Sequence, residues 1–344
     1  MAMLTTLSTE DLIPADHPIR RIRVVVDAVL AELDPVFDEM YASGGRRSVP
    51  PEQLLKATVL MAMYSIRSER AFCERLNYDL LFKWFLDMRI DEPAFDATTF
   101  SKNRQRLLDA EVADEFFEAV VRLAKLRRYM SSEHFSVDGT LLKAWASHKS
   151  FKPKDGPPSD PPAGRNAEVQ WHGEKRKNDT HASTTDPEAR LYRKSKNAEA
   201  LPYFMGHALM ENRNGLLVAL TAGPANGHAE RNATCAMIRH VRKRHWFVPA
   251  TLGEDAGFRG KQHASELAEL GVVQHIAGHK GRKPRGWTAS QRCRKRIEQI
   301  FGWVKEVAGL ARTRFIQRWK TKLYLLAAGA TYNLLRMKNL GLAA

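Results

Sequence analysis

Hydrophobic positions recur every three or four residues through the first third of the chain. Beyond it they recur every second residue in short runs. Up to about Met130 the pattern predicts helices almost throughout. Val24 to Leu33 is amphipathic. Pro50-Pro51-Glu52 opens a helix carrying Leu54, Leu55, Val59, Leu60 and Met63, with proline in the first turn where its missing N–H costs nothing. Ser68 caps a short helix through Arg75, and Leu80 to Met88 is aromatic-rich core. Asp96 then precedes Ala97 to Leu107, an acid-capped helix with a basic, polar outer face. Short helices followed by a capped basic helix outline a helix-turn-helix-like unit. Its nucleic-acid-facing candidates are Ser101, Lys102, Arg104 and Arg106; the same face also reads as a solvated helix with no partner.

From His134 the period changes. Phe135 to Leu141 alternates apolar and polar, as a half-buried strand does. Residues 147–197 are rich in Pro, Gly, Lys, Asp and Ser with little periodicity, which predicts a flexible basic insertion rather than a folded unit. His207 to Glu211, Asn212 to Gly215 and Leu216 to Leu220 read as strand, turn and strand, with Asn214-Gly215 as the hairpin signal. A basic helix follows over Ala229 to Arg244. Then come a strand from Phe247 to Gly253, a helix from Lys261 to Leu270, a strand from Val272 to Ala277 and a basic loop from His279 to Arg285. Cys293, Ile297, Ile300, Val304 and Val307 form one apolar stripe and predict a continuous helix. A last helix spans 318–340. The predicted fold class is α+β. An all-helical N-terminal DNA-binding domain (1–130) precedes an RNase H-like α/β catalytic domain (131–344) with a mixed five-stranded sheet and flanking helices.

Composition narrows the partners. The 344 residues carry 54 Lys and Arg against 39 Asp and Glu, a net charge of +15, and the sequence pI is about 9.8. Such an excess favours polyanions, nucleic acid before anionic membrane. The most apolar run, Leu323 to Leu335, is too short for a membrane span and holds Tyr324, Thr331, Tyr332 and Asn333. Glu10 and Asp11 lie where a signal peptide needs an apolar core, so a cytoplasmic, nucleoid-associated protein is expected. Cys73, Cys235 and Cys293 include no CxxC pair, which argues against a disulfide framework or a cysteine zinc site.

The chemistry falls on three acids: Asp138 within the first strand, Asp255 at the end of a later strand, and Glu298 on the helix after the basic loop. Clustered carboxylates repel one another unless a cation neutralises them. Mg²⁺ does so with few protein oxygens, leaving positions for phosphate and water. Arg294 and Lys305 lie four residues before and seven after Glu298, so all three point within a few tens of degrees on one helix face, at about 100° per residue. Taken alone, that face reads first as a solvated surface with weak helical ion pairs. Glu254 and Glu306 are competing carboxylates, and His228 could approach the acids from a helix start. Lys280, Arg282 and Lys283 in the basic loop are candidates for the DNA backbone. Trp287 and Trp303 are candidates for base stacking or core.

These residues resemble those of DDE-class bacterial insertion-sequence transposases, specifically the IS-five-type group within the IS-four-like superfamily. Val137-Asp138-Gly139-Thr140 is similar to the family's first-Asp motif. Glu254-Asp255-Ala256-Gly257-Phe258 is similar to its second, usually Ala-Asp-Lys-Gly-Tyr. Arg294, Glu298 and Lys305 match the spacing of its Tyr–Arg–Glu–Lys signature. The helical residues His17 to Leu108 resemble its N-terminal domain, and Ser183 to Lys194 with Gly206 to Gly215 resembles the lead into its second strand. The tyrosine of the signature is Gln291 here, and the Lys and Tyr after the second Asp are Ala256 and Phe258.

The resemblance implies a transposase that binds transposon ends, cleaves them and joins the 3′ ends to target DNA. It implies Asp138, Asp255 and Glu298 as ligands of two Mg²⁺ ions, for which Mn²⁺ would substitute. Arg294 and Lys305 would lie on DNA phosphates, and Arg190, Arg193 and Lys194 would order on DNA. Double-stranded DNA (terminal inverted repeats and target) and a homodimer on DNA follow as expected partners, with no membrane. Two alternatives remain at this point: a non-catalytic DNA-binding protein derived from such an element, and a related nuclease that cuts without rejoining.

Overall fold

The computed structural model describes residues 7–40, 49–109, 112–154, 176–195 and 197–341. Seven helices come first: α1 (Thr9–Leu12), α2 (Pro18–Met40), α3 (Pro51–Met63), α4 (Glu69–Leu76), α5 (Leu80–Phe85), α6 (Ala97–Asp109) and α7 (Val112–Leu126). Their starts follow local chemistry. The Ser68 hydroxyl accepts from the Ala71 N–H at 3.3 Å, and Asp96 accepts from the N–H groups of Thr98 and Thr99 at 2.8 and 3.1 Å.

Strands β1 (His134–Lys143), β2 (Phe151–Pro153), β3 (His181–Ser183), β4 (Arg190–Tyr192), β5 (Leu201–Glu211) and β6 (Leu216–Pro224) follow. Then come α8 (Ala229–His245), β7 (Thr251–Glu254), α9 (Lys261–Glu269), β8 (Val273–Ile276), α10 (Trp287–Arg294), α11 (Arg296–Glu306) and α12 (Arg318–Asn339). The main sheet runs β6-β5-β1-β7-β8. β5 is antiparallel to both β6 and β1, while β1, β7 and β8 are parallel. This is the expected RNase H-like order. The short β4 adds a sixth strand at the start of β5, pairing Tyr192 with Leu201. β5 and β6 join where Glu211 accepts from the N–H groups of Arg213 and Asn214, and Gly215 adopts φ +68°.

α8 packs on β6, β5 and β1. α10 lies over β1, β7 and β8, and α11 over β1 and α12. α12 lies between β6 and the helices α7, α3 and α2. That position explains its composition: Leu323 to Ala330 is buried on every side, as a helix sandwiched between two layers must be. Gly329 is where α12 comes closest to β6, since a Cβ there would run into the Leu220 side chain. Asn333 extends the ladder of β6 by accepting from Leu217 N at 2.9 Å and donating to Leu217 O at 2.8 Å. One continuous core therefore holds both halves, and residue 130 marks a change of secondary structure rather than a break in packing.

Three expectations change. The stretch 147–197 is not uniformly irregular. Among its described residues, β2 pairs with β3, β4 joins the sheet, and Asp186 and Glu188 accept from the N–H groups of Gln317 and Arg318 at 3.1 and 2.9 Å, capping α12. Its residues 155–175 lie outside the described residues. The Phe247–Gly253 strand shrinks to β7, because Phe247 turns to pack on the Phe135 ring. The helix through Cys293 breaks at Lys295 into α10 and α11, and the Glu298 N–H bonds to Lys295 O at 3.2 Å in a tightened turn.

Glu118 on α7 fastens the helical half to α8. Its carboxylate lies 2.8 Å from His240 Nε2 and 2.7 Å from His245 Nε2. Burial pushes Glu118 up, but the two imidazoles outweigh it and bring it from 4.5 to about 2. A depressed carboxylate stabilises fully above its unfolded value, and that contribution fades as pH falls toward the folded one. Glu118→Ala is therefore expected to cost roughly 3 kcal/mol at neutral pH. In thermal melts the difference from wild type should shrink steadily between pH 4.5 and 2, and a pH-independent difference would refute the clamp.

Candidate active site

β1 outruns its neighbour. Pairing with β7 stops at Ser136 opposite Gly253, and β7 ends at Glu254, so residues 138 and 139 have an open strand edge on that side. Asp138 points toward α10, Asp255 follows the end of β7, and Glu298 comes from the first turn of α11. Arg294, at the end of α10, reaches between the first two. Its Nη1 is 3.9 Å from Asp138 Oδ2, and its Nη2 is 4.0 Å from Asp255 Oδ1. The Arg294 side chain is 13% exposed, and among the described residues its Nε has no hydrogen-bond partner.

Asp138 accepts from the Gly139 N–H at 2.8 Å. Burial pushes its carboxyl up. The Gly139 hydrogen bond and Arg294 pull it down, and Asp255 and Glu298 raise it by repulsion. Glu298 is exposed, and a Cβ on Gly302 one turn along would meet nothing. Asp255 accepts from the Ala256 N–H at 2.7 Å, which starts a 3-10 turn over Ala256–Phe258.

Beneath these groups the strand end is fixed by Glu254, fully buried and facing away from Asp255. Its Oε1 lies 2.7 Å from His263 Nε2, its Oε2 accepts from Gln274 at 2.6 Å, and Cys235 Sγ closes the chain 3.7 Å from His263 Nδ1. Gln291 donates to the backbone carbonyls of Glu254 and His275. Its amide thus ties α10 to the ends of β7 and β8. Glu254 is accordingly a structural acid.

The remaining candidates divide. Lys305 is half-buried, and its ammonium is pushed down by burial first and by Lys194 second. The end of β4 and the face of α11 therefore share one positive surface. Arg193 and Lys194 are exposed, and Arg190 donates to Pro187 O at 3.1 Å. Lys280, Arg282 and Lys283 are exposed in the loop before α10, with Lys283 over the Trp287 ring at 4.3 Å. Trp287 itself donates to Ile276 O at 2.9 Å, and Trp303 meets Tyr332 edge-on. Ser101, Lys102 and Arg106 are exposed on α6.

Arg104 departs from expectation. It is ion-paired with Glu69, lies over the Phe315 ring at 5.3 Å, and its side chain is 13% exposed. Its charge is spent within the fold, joining α6 to α4 and to the loop before α12. His228 is an exposed residue before α8, 2.9 Å from Arg231 Nη2.

One acid near the site has no part in the expected set. Glu230, in the first turn of α8, presses against Gly139 so closely that a Cβ there would lie 2.5 Å from its Oε1. No sequence spacing relates it to Asp138.

With the fold and these acids in place, comparison with known proteins identifies the class. Residues 131–334 match the family model Transposase DDE domain, and residues 7–106 match Transposase domain (DUF772). The chain belongs to the DDE transposases of insertion-sequence type, and its role is in DNA transposition. Among solved structures it is similar to piggyBac transposase in a synaptic complex with hairpin DNA, at 8% identity over 94% of this chain and 75% of that one, with a TM-score of 0.42. It is also similar to Mos1 transposase in a paired-end complex with the left transposon end, at 8% identity over 80% of this chain and 84% of that one, with a TM-score of 0.23. Among the described residues no helix is long and apolar enough to cross a membrane.

Removal of the guanidinium tests the electrostatics. Asp138 is already raised in the fold, so its ionised form costs stability at high pH and the cost is relieved as pH falls through its folded pKa. Arg294→Gln would raise it further. Urea unfolding is expected to show a loss on the order of 1 kcal/mol at pH 7, one pKa unit being worth about 1.4 kcal/mol, and a smaller loss at pH 5. Equal losses at the two pH values would mean that Arg294 acts by packing alone.

Proposed function

We propose that the chain binds the ends of its element, cleaves them and joins the freed 3′ ends to target DNA, with Asp138, Asp255 and Glu298 as the catalytic acids. The observation that carries this reading is the convergence of Asp138 and Asp255, from separate strands, on one guanidinium four residues before Glu298, in a chain of the DDE family.

As placed, no three His, Cys, Asp or Glu side chains among the described residues stand close enough together to hold a metal ion. The donor set nonetheless fits a hard divalent cation in its chemistry. It is all carboxylate, its members repel one another, and the positive charge between two of them is a side chain of the protein, Arg294. Asp138, Asp255 and Glu298 would hold Mg²⁺ or Mn²⁺ once Arg294 turns aside. When bound, two such ions would lower the cost of ionising the attacking oxygen and stabilise the leaving oxygen of the phosphodiester.

The chain's own groups do the rest. Arg294, released from the acids, has a planar fork suited to a phosphate beside the scissile bond. Lys305 and Lys194 offer point charges on one surface, for which a phosphate would relieve their mutual repulsion. Exposed Arg193, Lys280, Arg282 and Lys283 lengthen the proposed backbone track, with Arg190 at its edge. Ser101, Lys102 and Arg106 on α6 would meet DNA away from the acids. Two ends must be held at once for cleavage and joining, so a homodimer on DNA is the proposed working assembly.

Incubation with a labelled transposon end, target plasmid and Mg²⁺ tests the reading. Asp138→Ala, Asp255→Ala and Glu298→Ala are each expected to abolish joined products while leaving DNA binding intact. Full activity of Glu298→Ala would defeat the assignment, and cut ends without joined products in wild type would identify a nuclease. Lys305→Ala should weaken binding to all sequences alike and reduce the slope of log affinity against log salt by about 1.

A further inference from the structure

We propose that the end of the molecule away from the acids is a docking surface for sequence-independent duplex DNA, the target. Cations at the ends of α7 and α8 grip its phosphates, and the indole of Trp246 wedges into it. This rests on the joining reaction proposed above and adds a second DNA surface to the one at Asp138, Asp255 and Glu298.

α8 spans the distance between the two places. It starts where Glu230 meets Gly139 beside Asp138, and its 17 residues carry the chain about 25 Å to Trp246. There α7 ends as well. Lys125 donates to the His245 carbonyl and lies over the Phe247 ring at 5.3 Å, so both residues flanking Trp246 touch it. The turn between β5 and β6 joins them, with Arg213 donating to Arg128 O at 2.8 Å. Backbone bonds from Ala250 and Thr251 to the carbonyls of Ser132 and Glu133 place this surface at the starts of β1 and β7. Asp138 lies further along β1, and Asp255 follows the end of β7.

Packing within the chain does not account for these side chains. Trp246 is 88% exposed and Leu126 79%, so two large apolar groups bury almost nothing. Trp246 and Arg128 stand at φ +59° and +60°, the left-handed position past a helix end that glycine usually takes. Around them Arg127, Arg242 and Lys243 are exposed, and among the described residues their side chains form no ion pair. Of the nearby acids, Glu115 is taken by Arg244, Glu118 by His240 and His245, and Glu133 is left exposed. Cations in a last turn also suit the helix dipole, but that effect calls for no indole among them. A second copy of the same face is a poor partner, because its like charges would meet. A duplex fits both features: phosphates answer the cations, and an apolar wedge among them suits DNA that bends. Asn214 and Ser131 nearby are spent on Tyr129 O and Glu211. The grip is therefore on the backbone, which suits a target better than a transposon end that must be told from other DNA.

The test uses the full-length protein without metal and two labelled duplexes: one of unrelated sequence, and one carrying the transposon end, measured over excess unlabelled unrelated duplex. Arg242→Gln combined with Lys243→Gln is expected to weaken binding of the unrelated duplex about 10-fold and to reduce the slope of log affinity against log salt by about 2. Trp246→Ala should weaken it several-fold with the slope unchanged. Both variants should keep the wild-type affinity for the transposon end, and the wild-type melting temperature, since the side chains replaced are exposed. Unchanged affinity and slope for the unrelated duplex would overturn the inference. Equal losses on the two duplexes would overturn it too, as would a loss confined to phosphatidylserine vesicles, which would identify a membrane surface instead. Because binding is read without metal or cleavage, an unchanged slope here leaves the three acids standing, and inactive acids leave this surface standing.

Discussion

The structure depends on the burial of α12 from two sides. A sheet of this order has two faces to cover, and the helices after β6 supply only part of the cover. α12 takes the remaining face over β6, and its own outer side is then covered by α7, α3 and α2. The helical half is thus the second layer over a helix that would otherwise expose Leu323, Leu326 and Ala330. The Asn333 clamp on Leu217 and the close approach at Gly329 fix the register of that contact. Because α11 packs on both β1 and α12, Glu298 is set relative to Asp138 by the same spine.

Much of this was legible in the sequence, and the reasons are local. Pro51, Ser68 and Asp96 mark helix starts through backbone chemistry that needs no tertiary partner. Asn214-Gly215 marks its turn in the same way. Asp138 and Asp255 were legible through their elements, since a carboxylate within an apolar strand or at its end is conspicuous against the expected pattern, and Glu298 through its spacing from Arg294 and Lys305.

What stayed hidden was tertiary. Arg104 carries the same charge as Lys102, and only Glu69 and Phe315, distant in sequence, make it structural. The apolar stripe through Cys293 and Ile297 passes without a glycine or proline across Lys295, so nothing in the pattern signals the break. The return segment around Asp186 reads as polar linker because its partners, the N–H groups at the start of α12, lie far along the chain. Glu230 is ordinary as a residue in a first helical turn, and its position gains meaning only through a glycine on another element.

Arg294 has a consequence for how the protein can be handled. Proteins whose folding energy comes from a bound ion unfold when a chelator removes it. Here a side chain of the chain itself stands between Asp138 and Asp255. The core, meanwhile, is built from apolar contacts that involve none of the acids. On the proposed reading, folding and the loading of a metal would be separate events, and the fold described here would form before any ion is bound.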